Sequence, residues 1–421
     1  MPEGALDLAL PRSVHTICDA LRADGWQAFV VGGGVRDALL GRPVHDWDVA
    51  TDAPPDRVQQ LFARTIPTGV EFGTVTVVVD EDAVQVTTFR SEGGYRDARH
   101  PGWVTFGRRI EDDLKRRDLT VNALAYDPHA RRLVDPYGGR DDLAARVIRT
   151  VGDPIDRFRE DALRLLRAVR LAVELGFRLD GRTAAAARSC AASLARVSRE
   201  RVGQEWRRLL AAPAAGRGLL LLHNTRLLRF VLPGARHLTR ETIRETAAAL
   251  AELSGSDGVV KMSAVLVGLS ADDADEAVVR GLVYSRAETR RACHLAQAVR
   301  GIHPEAFISD AALRRHLARV GREHVRPFVE LWQAWRRIRP ERFGHDIGER
   351  TERILAAGVA LSPGELAVNG HDLQQGAGVP AGPAVGQMMA RLWQHVLEFP
   401  QDNVRERLLQ LARAWSDQSD Q

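Results

Sequence analysis

Lysine is almost missing from this chain. Lys115 and Lys261 are the only two, so all but two of the 59 basic residues are arginine. With positive charge spread so widely, an isolated Arg reads as a solvated surface charge, and only its place in a motif argues for more. Cysteine is scarce as well. Cys18, Cys190 and Cys293 are odd in number, far apart and form no Cys-x-x-Cys pair, which argues against a disulfide framework and against a zinc site. No apolar run reaches the length of a membrane span, and the start Met1 to Asp7 has neither the basic segment nor the apolar stretch of a signal peptide. The expected setting is the reduced cytoplasm, with no membrane partner.

What is present is ordinary for a globular protein: 421 residues, 45% hydrophobic and 27% charged. That length favours two to four domains over one core. A formal charge of +4 permits a polyanionic partner without identifying one. Residues 26 to 145 mix β-rich runs with short helical segments and glycine turns. Gln27 to Val31, Thr74 to Val79 and Val84 to Phe89 read as strands, the last two as a hairpin. Beyond Gly152 the texture becomes Ala/Leu/Arg with helical spacing and stays so. Loop signals at 213–216, 254–258 and 362–364 punctuate it. Leu219 to Leu222 reads as helix core.

Gly32-Gly33-Gly34-Val35-Arg36-Asp37 follows a predicted strand and opens a short predicted helix, Val35 to Leu40. Such a turn can aim backbone amides at a phosphate while Arg36 adds charge. Asp46 and Asp48 follow closely, and strand periodicity puts them on one face, where two carboxylates can hold magnesium with substrate phosphates in its shell. The spacing alone is weak, because Asp80-Glu81-Asp82 and Asp273-Ala274-Asp275 repeat it and read as loop charges. What distinguishes the first pair is the glycine turn and arginine before it.

Gly-Gly-Gly-Val-Arg-Asp, Leu-Leu-Gly-Arg-Pro and Asp-Trp-Asp-Val-Ala-Thr together resemble the head of class II tRNA nucleotidyltransferases, within the poly(A) polymerase superfamily. Arg116-Arg117-Asp118-Leu119-Thr120-Val121-Asn122 is similar to the family's ribose and triphosphate segment, and Arg159 to Arg170 to its nucleotide-selecting helix. Gly364 to Gly370, followed by Pro380-Ala381-Gly382-Pro383, resembles the tail of the bacterial CCA-adding members. The resemblance implies an α/β head with a small mixed sheet like that of DNA polymerase beta, followed by an all-α neck, body and tail. The corresponding expectation is a catalytic head at 1–145, a neck with the nucleotide-selecting helices at 146–215, a helical body at 216–315 and a tRNA-binding tail at 316–421.

By the same resemblance, Asp46 and Asp48 are catalytic and bind Mg²⁺, and Gly33, Arg36, Arg117, Asp161, Arg164, Arg167 and Arg170 contact the incoming nucleotide. The expected partners are ATP, CTP and the acceptor end of tRNA. On a continuous helix, Glu160, Asp161, Arg164 and Arg167 share one arc, opposite Leu163, Leu166 and Val169. The plain alternative is a surface helix with Asp161 and Arg164 as an i,i+3 ion pair. Base chemistry explains the choice of residues. Cytosine and adenine both place an amine donor beside a ring-nitrogen acceptor, which suits a carboxylate and a guanidinium, whereas guanine and uracil reverse the pattern.

Thr88 to Pro101 reads as a charged, mobile loop rather than strand. In family terms it is similar to the segment that permits the switch from C to A addition. Where many relatives have Glu-Val-Thr-Thr-Phe, this chain has Gln85-Val86-Thr87-Thr88-Phe89, and an amide supplies no third carboxylate. His345-Asp346 and His371-Asp372 read as surface dipeptides, and Trp332 and Trp335 as core more than as an RNA contact. The rival readings are an A-adding enzyme partnered by a CC-adding one, a poly(A) polymerase, and an RNA-binding protein with a decayed active site.

Overall fold

The computed structural model describes residues 6–93, 103–235, 238–270, 274–302 and 307–417. Two compact units divide at Pro233 and Gly234. The first holds a seven-stranded sheet. Its strands are β1 (Ala28–Val31), β2 (Asp48–Thr51), β3 (Thr65–Gly69), β4 (Thr74–Val79), β5 (Asp82–Thr88), β8 (Ala125–Asp127) and β9 (Arg132–Val134), in the order β3-β4-β5-β2-β1-β8-β9. The sheet is mixed, because β2 runs parallel to β5 while its other pairings are antiparallel. The hairpin read from sequence is present, with Asp80 and Glu81 as a two-residue turn and Asp80 at φ 53°.

Alternation along the central strands buries both faces. Ala28, Val30, Val49 and Tyr126 join one cluster with Val14, Ile17, Cys18 and Leu21 of helix α1 (Arg12–Ala23). Phe29, Val31, Ala50 and Ala125 join the other with Phe89, Ile110 and Leu114. Period two therefore sorts each strand between two cores. Spacing of three, four and seven residues puts these four apolar α1 side chains on a single stripe.

Short helices α2 (Gly33–Leu39), α3 (Pro55–Leu61), α4 (Ile110–Lys115) and α5 (Gly139–Ala145) decorate the sheet. Then come α6 (Pro154–Glu160), α7 (Leu163–Leu175), α8 (Gly181–Cys190), α9 (Arg199–Ala211), α10 (Ala215–Asn224) and α11 (Leu228–Val231). Helix α7 packs on α9 and α10, and Leu219 and Leu222 of α10 are buried. The loop read from Thr88 onward is partly strand. β6 (Arg90–Gly93) pairs antiparallel with β7 (Trp103–Phe106), and the remainder, residues 94–102, lies outside the described residues.

The second unit is helical: α12 (Arg240–Glu252), α13 (Gly258–Leu269), α14 (Asp275–Arg280), α15 (Arg286–Arg300), α16 (Asp310–Val320), α17 (Val325–Ile338), α18 (Gly348–Ala356), α19 (Gly370–Ala377), α20 (Pro383–Glu398) and α21 (Arg405–Asp417). Apolar α13 is covered by α12, α15 and α17. Trp332 and Trp335 are buried, and the Trp332 indole donates to the His345 carbonyl at 3.0 Å. His345 stacks on Phe307, Asp346 pairs with Arg336, and Asp372 completes the capping box of α19. Asp275 departs from its reading as a loop charge: it is buried at the start of α14 and ion-paired with Arg300. No described helix is long and apolar enough to cross a membrane.

Candidate nucleotide-binding site

The register of the first hairpin brings the glycine turn to the carboxylates. Val31 at the end of β1 lies opposite Asp48 at the start of β2. Gly32 turns the chain at φ 78°, and helix α2 begins at once at Gly33, two residues earlier than the sequence suggests. A Cβ on Gly32 would sit 2.9 Å from Arg117 Nη1 and 3.7 Å from Asp48 Oδ2. Gly34 is tighter still, since a Cβ there would lie 2.8 Å from the Trp47 ring and 3.1 Å from the Asp46 carbonyl. That contact ties the turn to the segment that carries both carboxylates into β2. We expect Gly34→Ala to push Asp46 and Asp48 away from the turn and lower activity by more than about tenfold, because small misplacements at a reacting centre are costly. Steady-state kinetics beside a melting curve would check it, and unchanged kcat would contradict it.

A cavity of about 480 Å³ opens at this turn. Gly33, Arg36, Asp48, Arg117, Asp161, Arg164, Arg167 and Arg170 all line it, and so do Gly32, Arg116, Asp118, Asn122, Arg201 and Arg208. Of the nine residues expected to bind metal or nucleotide, Asp46 alone is not among the described lining. It is exposed, two residues before β2 begins rather than on the strand as expected, and acts on Asp48 electrostatically. Burial pushes the Asp48 carboxyl above its ordinary range, Arg117 partly offsets this, and Asp46 adds to the rise. Gln85 of β5 stands in register with Asp48, so the amide occupies the place next to the half-buried carboxylate.

Acids set behind the arginines orient them. Fully buried Asp113 accepts from Arg116 at 2.7 Å and from Arg117 at 3.2 Å. Burial would raise the Asp113 carboxyl, but the two guanidinium groups outweigh it and hold it low. Arg36 donates to Asn122 Oδ1 at 2.5 Å and to Asp37 at 2.7 Å. Arg170 is held by Glu205 and Glu174, both at 2.5 Å.

One expectation fails here. Residues 159–170 do not form one helix: α6 ends at Glu160, Asp161 is extended at φ −141° and ψ 106°, and α7 starts at Leu163. The Asp161 side chain accepts from the Leu163 amide at 2.9 Å, the local bonding by which Asp interrupts and restarts helices. Asp161 and Arg164 are not an ion pair either. Arg164 pairs with Glu160 at 2.5 Å, while Asp161 takes both Nη atoms of Arg201, at 2.7 and 3.3 Å. The kink still delivers Asp161, Arg164 and Arg167 to one cavity.

Asp118 joins the two halves of this wall, accepting from Arg167 at 2.7 Å and from Asn122 at 3.2 Å. Burial alone would raise its carboxyl, but Arg167, Asn122 and Arg164 more than reverse that and hold it well below the usual carboxylate range. An acid with a depressed folded-state pKa stabilises the protein at neutral pH, and that contribution is lost as pH falls through the folded value. We therefore expect wild-type stability to decline below about pH 4, with a shallower decline in Asp118→Asn. At neutral pH Asp118→Ala should cost about 2 kcal/mol, less than a fully buried pair because Arg167 keeps 37% side-chain exposure. Urea unfolding at several pH values measures both, and parallel acid limbs would contradict the assignment.

Comparison with known proteins accounts for this layout. Residues 28–149 match the poly A polymerase head domain, 176–239 match the family described as "Probable RNA and SrmB- binding site of polymerase A", and 259–412 match tRNA nucleotidyltransferase domain 2. A CCA-adding enzyme of Geobacillus stearothermophilus is 38% identical over 397 residues, covering 93% of this chain and 94% of that one. The chain belongs to the class II CCA-adding enzyme family. A second CCA-adding enzyme, from Lactiplantibacillus plantarum, is 34% identical over 96% of this chain and 97% of its own length. The crystal structure of a Bacillus stearothermophilus CCA-adding enzyme in complex with CTP superposes with a TM-score of 0.71 at 34% identity, covering 97% of this chain and 98% of that one. The Thermotoga maritima CCA-adding enzyme complexed with tRNA shares the fold at TM-score 0.72 and 17% identity, over 97% of this chain and 96% of that one. The α/β head with a mixed sheet and the helical remainder are thus the architecture of CCA-adding enzymes.

Proposed function

We infer that this chain adds CCA to the 3′ end of tRNA from CTP and ATP without a nucleic-acid template, releasing pyrophosphate. The observation that carries this reading is the single cavity uniting Asp48, the Gly32–Gly33 turn and Arg117 with Asp161 and Arg164, in a chain whose similarity to CCA-adding enzymes spans nearly its whole length.

Membership in the family implies a divalent metal, and we propose magnesium held by Asp46 and Asp48. The donor set suits it: two neighbouring carboxylates, one half-buried and pushed up by desolvation and then by its exposed neighbour, beside a cavity open to substrate phosphates. Magnesium accepts such a site because it keeps water and phosphate oxygens in its shell. When bound, it would lower the pKa of the attacking hydroxyl and neutralise charge on the leaving phosphates.

The rest of the task falls to the chain's own groups. Gly32 and Gly33 let the phosphates approach the backbone, and Arg36, Arg117, Arg167 and Arg170 supply fixed positive charge around the triphosphate. Asp161 and Arg164 read the base. A carboxylate has about four acceptor sites. The Leu163 amide and the two Arg201 nitrogens take three of those on Asp161, which leaves one for the exocyclic amine of C or A.

Incubation with tRNA lacking CCA, CA or A, with each triphosphate alone and together, tests the reading when products are sized to the nucleotide. Extension of all three acceptors to CCA is the expected result. Extension of only the A-lacking acceptor would reduce the activity to A addition, and long A tails on any RNA would overturn it.

A further inference from the structure

The head carries a second strongly basic surface, separate from the nucleotide cavity and outside the segment matched as RNA-binding. A groove of about 1170 Å³ runs along β9, the last strand of the sheet. Its floor is apolar, with Phe29, Ile110 and Val134. Its walls carry five exposed arginines, Arg108 and Arg109 before α4 and Arg131, Arg132 and Arg140 around β9 and α5. Only Glu111 and Asp135 oppose them in the lining. The local excess of three positive charges nearly equals the formal +4 of the whole chain, so the groove is not an average sample of an arginine-rich surface.

The two acids do little to neutralise it. Asp135 is engaged by the backbone amides of Gly139 and Arg140 at 2.7 and 2.8 Å. Glu111 meets Arg109 at 3.5 Å, in a pair where both side chains are largely exposed, and such pairs are weak. Among the described residues no side-chain ion pair is found for Arg108, Arg132 or Arg140. In the nucleotide cavity, by contrast, acids hold most of the arginines in place. Gln27 of the groove precedes Gly32 of the cavity by the length of β1, roughly 16 Å of extended chain.

We propose that this groove holds the phosphodiester backbone of the RNA substrate at a point away from its 3′ end, the arginine stems lying along the apolar floor and their guanidinium forks on phosphates. The proposal rests on the reading of tRNA as substrate. The chemistry is that of arginine, which pairs two N–H groups with phosphate oxygens and covers apolar surface with its stem. Such contacts fix position without reading sequence, as suits an enzyme that accepts many tRNAs.

The test compares the full-length wild type with Arg108→Gln/Arg132→Gln/Arg140→Gln, and with the single variant Arg140→Gln in case the triple one is unstable. A control, Arg12→Gln/Arg64→Gln/Arg146→Gln, removes the same charge from exposed positions elsewhere in the same unit, outside the groove, the cavity and the segment matched as RNA-binding. Affinity for tRNA lacking CCA is measured by anisotropy without triphosphates, between about 50 and 200 mM salt. For the triple variant we expect Kd to rise about tenfold and the slope of log affinity against log salt to shrink by about 2, and for Arg140→Gln by somewhat under 1. KM for CTP and kcat at saturating tRNA should hold, and the control should stay within about twofold of wild type. A groove variant with the wild-type slope, or one matched by the control, overturns the proposal and leaves an acidic protein as the groove's counter-charge. A wild type that neither binds nor extends tRNA overturns the functional reading as well; one that extends tRNA while the groove variants keep its slope overturns the groove alone.

Discussion

Asp48→Asn is expected to lower kcat for addition of both C and A by about 10³-fold or more while the triphosphate still binds, because an amide lacks the charge that a divalent ion requires. The fold should not suffer. Burial, reinforced by Asp46, raises the Asp48 carboxyl, with Arg117 only partly offsetting it. A raised acid binds its proton more tightly in the native state, so the native protein loses stability as pH rises through the folded value. Asparagine removes that loss, and in the presence of chelator at pH 8 the variant should melt at or above the wild-type temperature. Single-turnover kinetics and calorimetry would check this pair of results. An Asp48→Asn enzyme retaining more than about a tenth of wild-type kcat would remove Asp48 from the catalytic centre.

The second large effect concerns choice of base. Asp161→Ala should admit UTP and GTP, narrowing discrimination against them by at least about 10²-fold, since a site that pairs with a polar group rejects a partner lacking it by factors of that size or more. The loss should fall mostly on kcat/KM for CTP and ATP, with little effect on triphosphate contacts. Arg201→Ala should act in the same direction but less, because it frees the Asp161 carboxylate from its two-point hold without removing the acceptor. Competition between CTP and UTP on one tRNA, followed by product sequencing, measures both variants. Full discrimination by Asp161→Ala would end the case for a protein template.

Much of this site was legible because its signals are local. Alternating β-branched residues mark β4, β5 and the end of β1, and the glycine turn stands directly before an arginine and a pair of aspartates. The resemblance then extended that reading to Arg117, Asp161, Arg164 and Arg167, all of which line the cavity. Arg201 and Arg208 were not found, because they reach the cavity from α9, a helix whose sequence looks like any amphipathic surface helix. Asp113 was missed for a similar reason. It reads as one acid in a charged stretch, and only tertiary packing makes it the buried support of two arginines. The break at Asp161 left a trace in the sequence, since Asp favours helix starts over helix interiors. Strong Leu/Arg periodicity on either side concealed it. Asp275 shows the converse error, where spacing in a polar stretch suggested solvent and a distant Arg300 provided burial.

Among the described residues, the cavity wall contains eight arginines and neither lysine nor histidine. A guanidinium stays protonated across any pH at which the protein folds, and it is not a target of acetylation. The positive field that greets a triphosphate is therefore permanent: neither alkaline pH nor acylation of amines dims it. Control over such an enzyme falls instead to the supply of metal, the ratio of the two triphosphates and the state of the RNA end. Reagents that attack guanidinium groups should inactivate it, and triphosphate should protect, where amine-directed reagents leave it working.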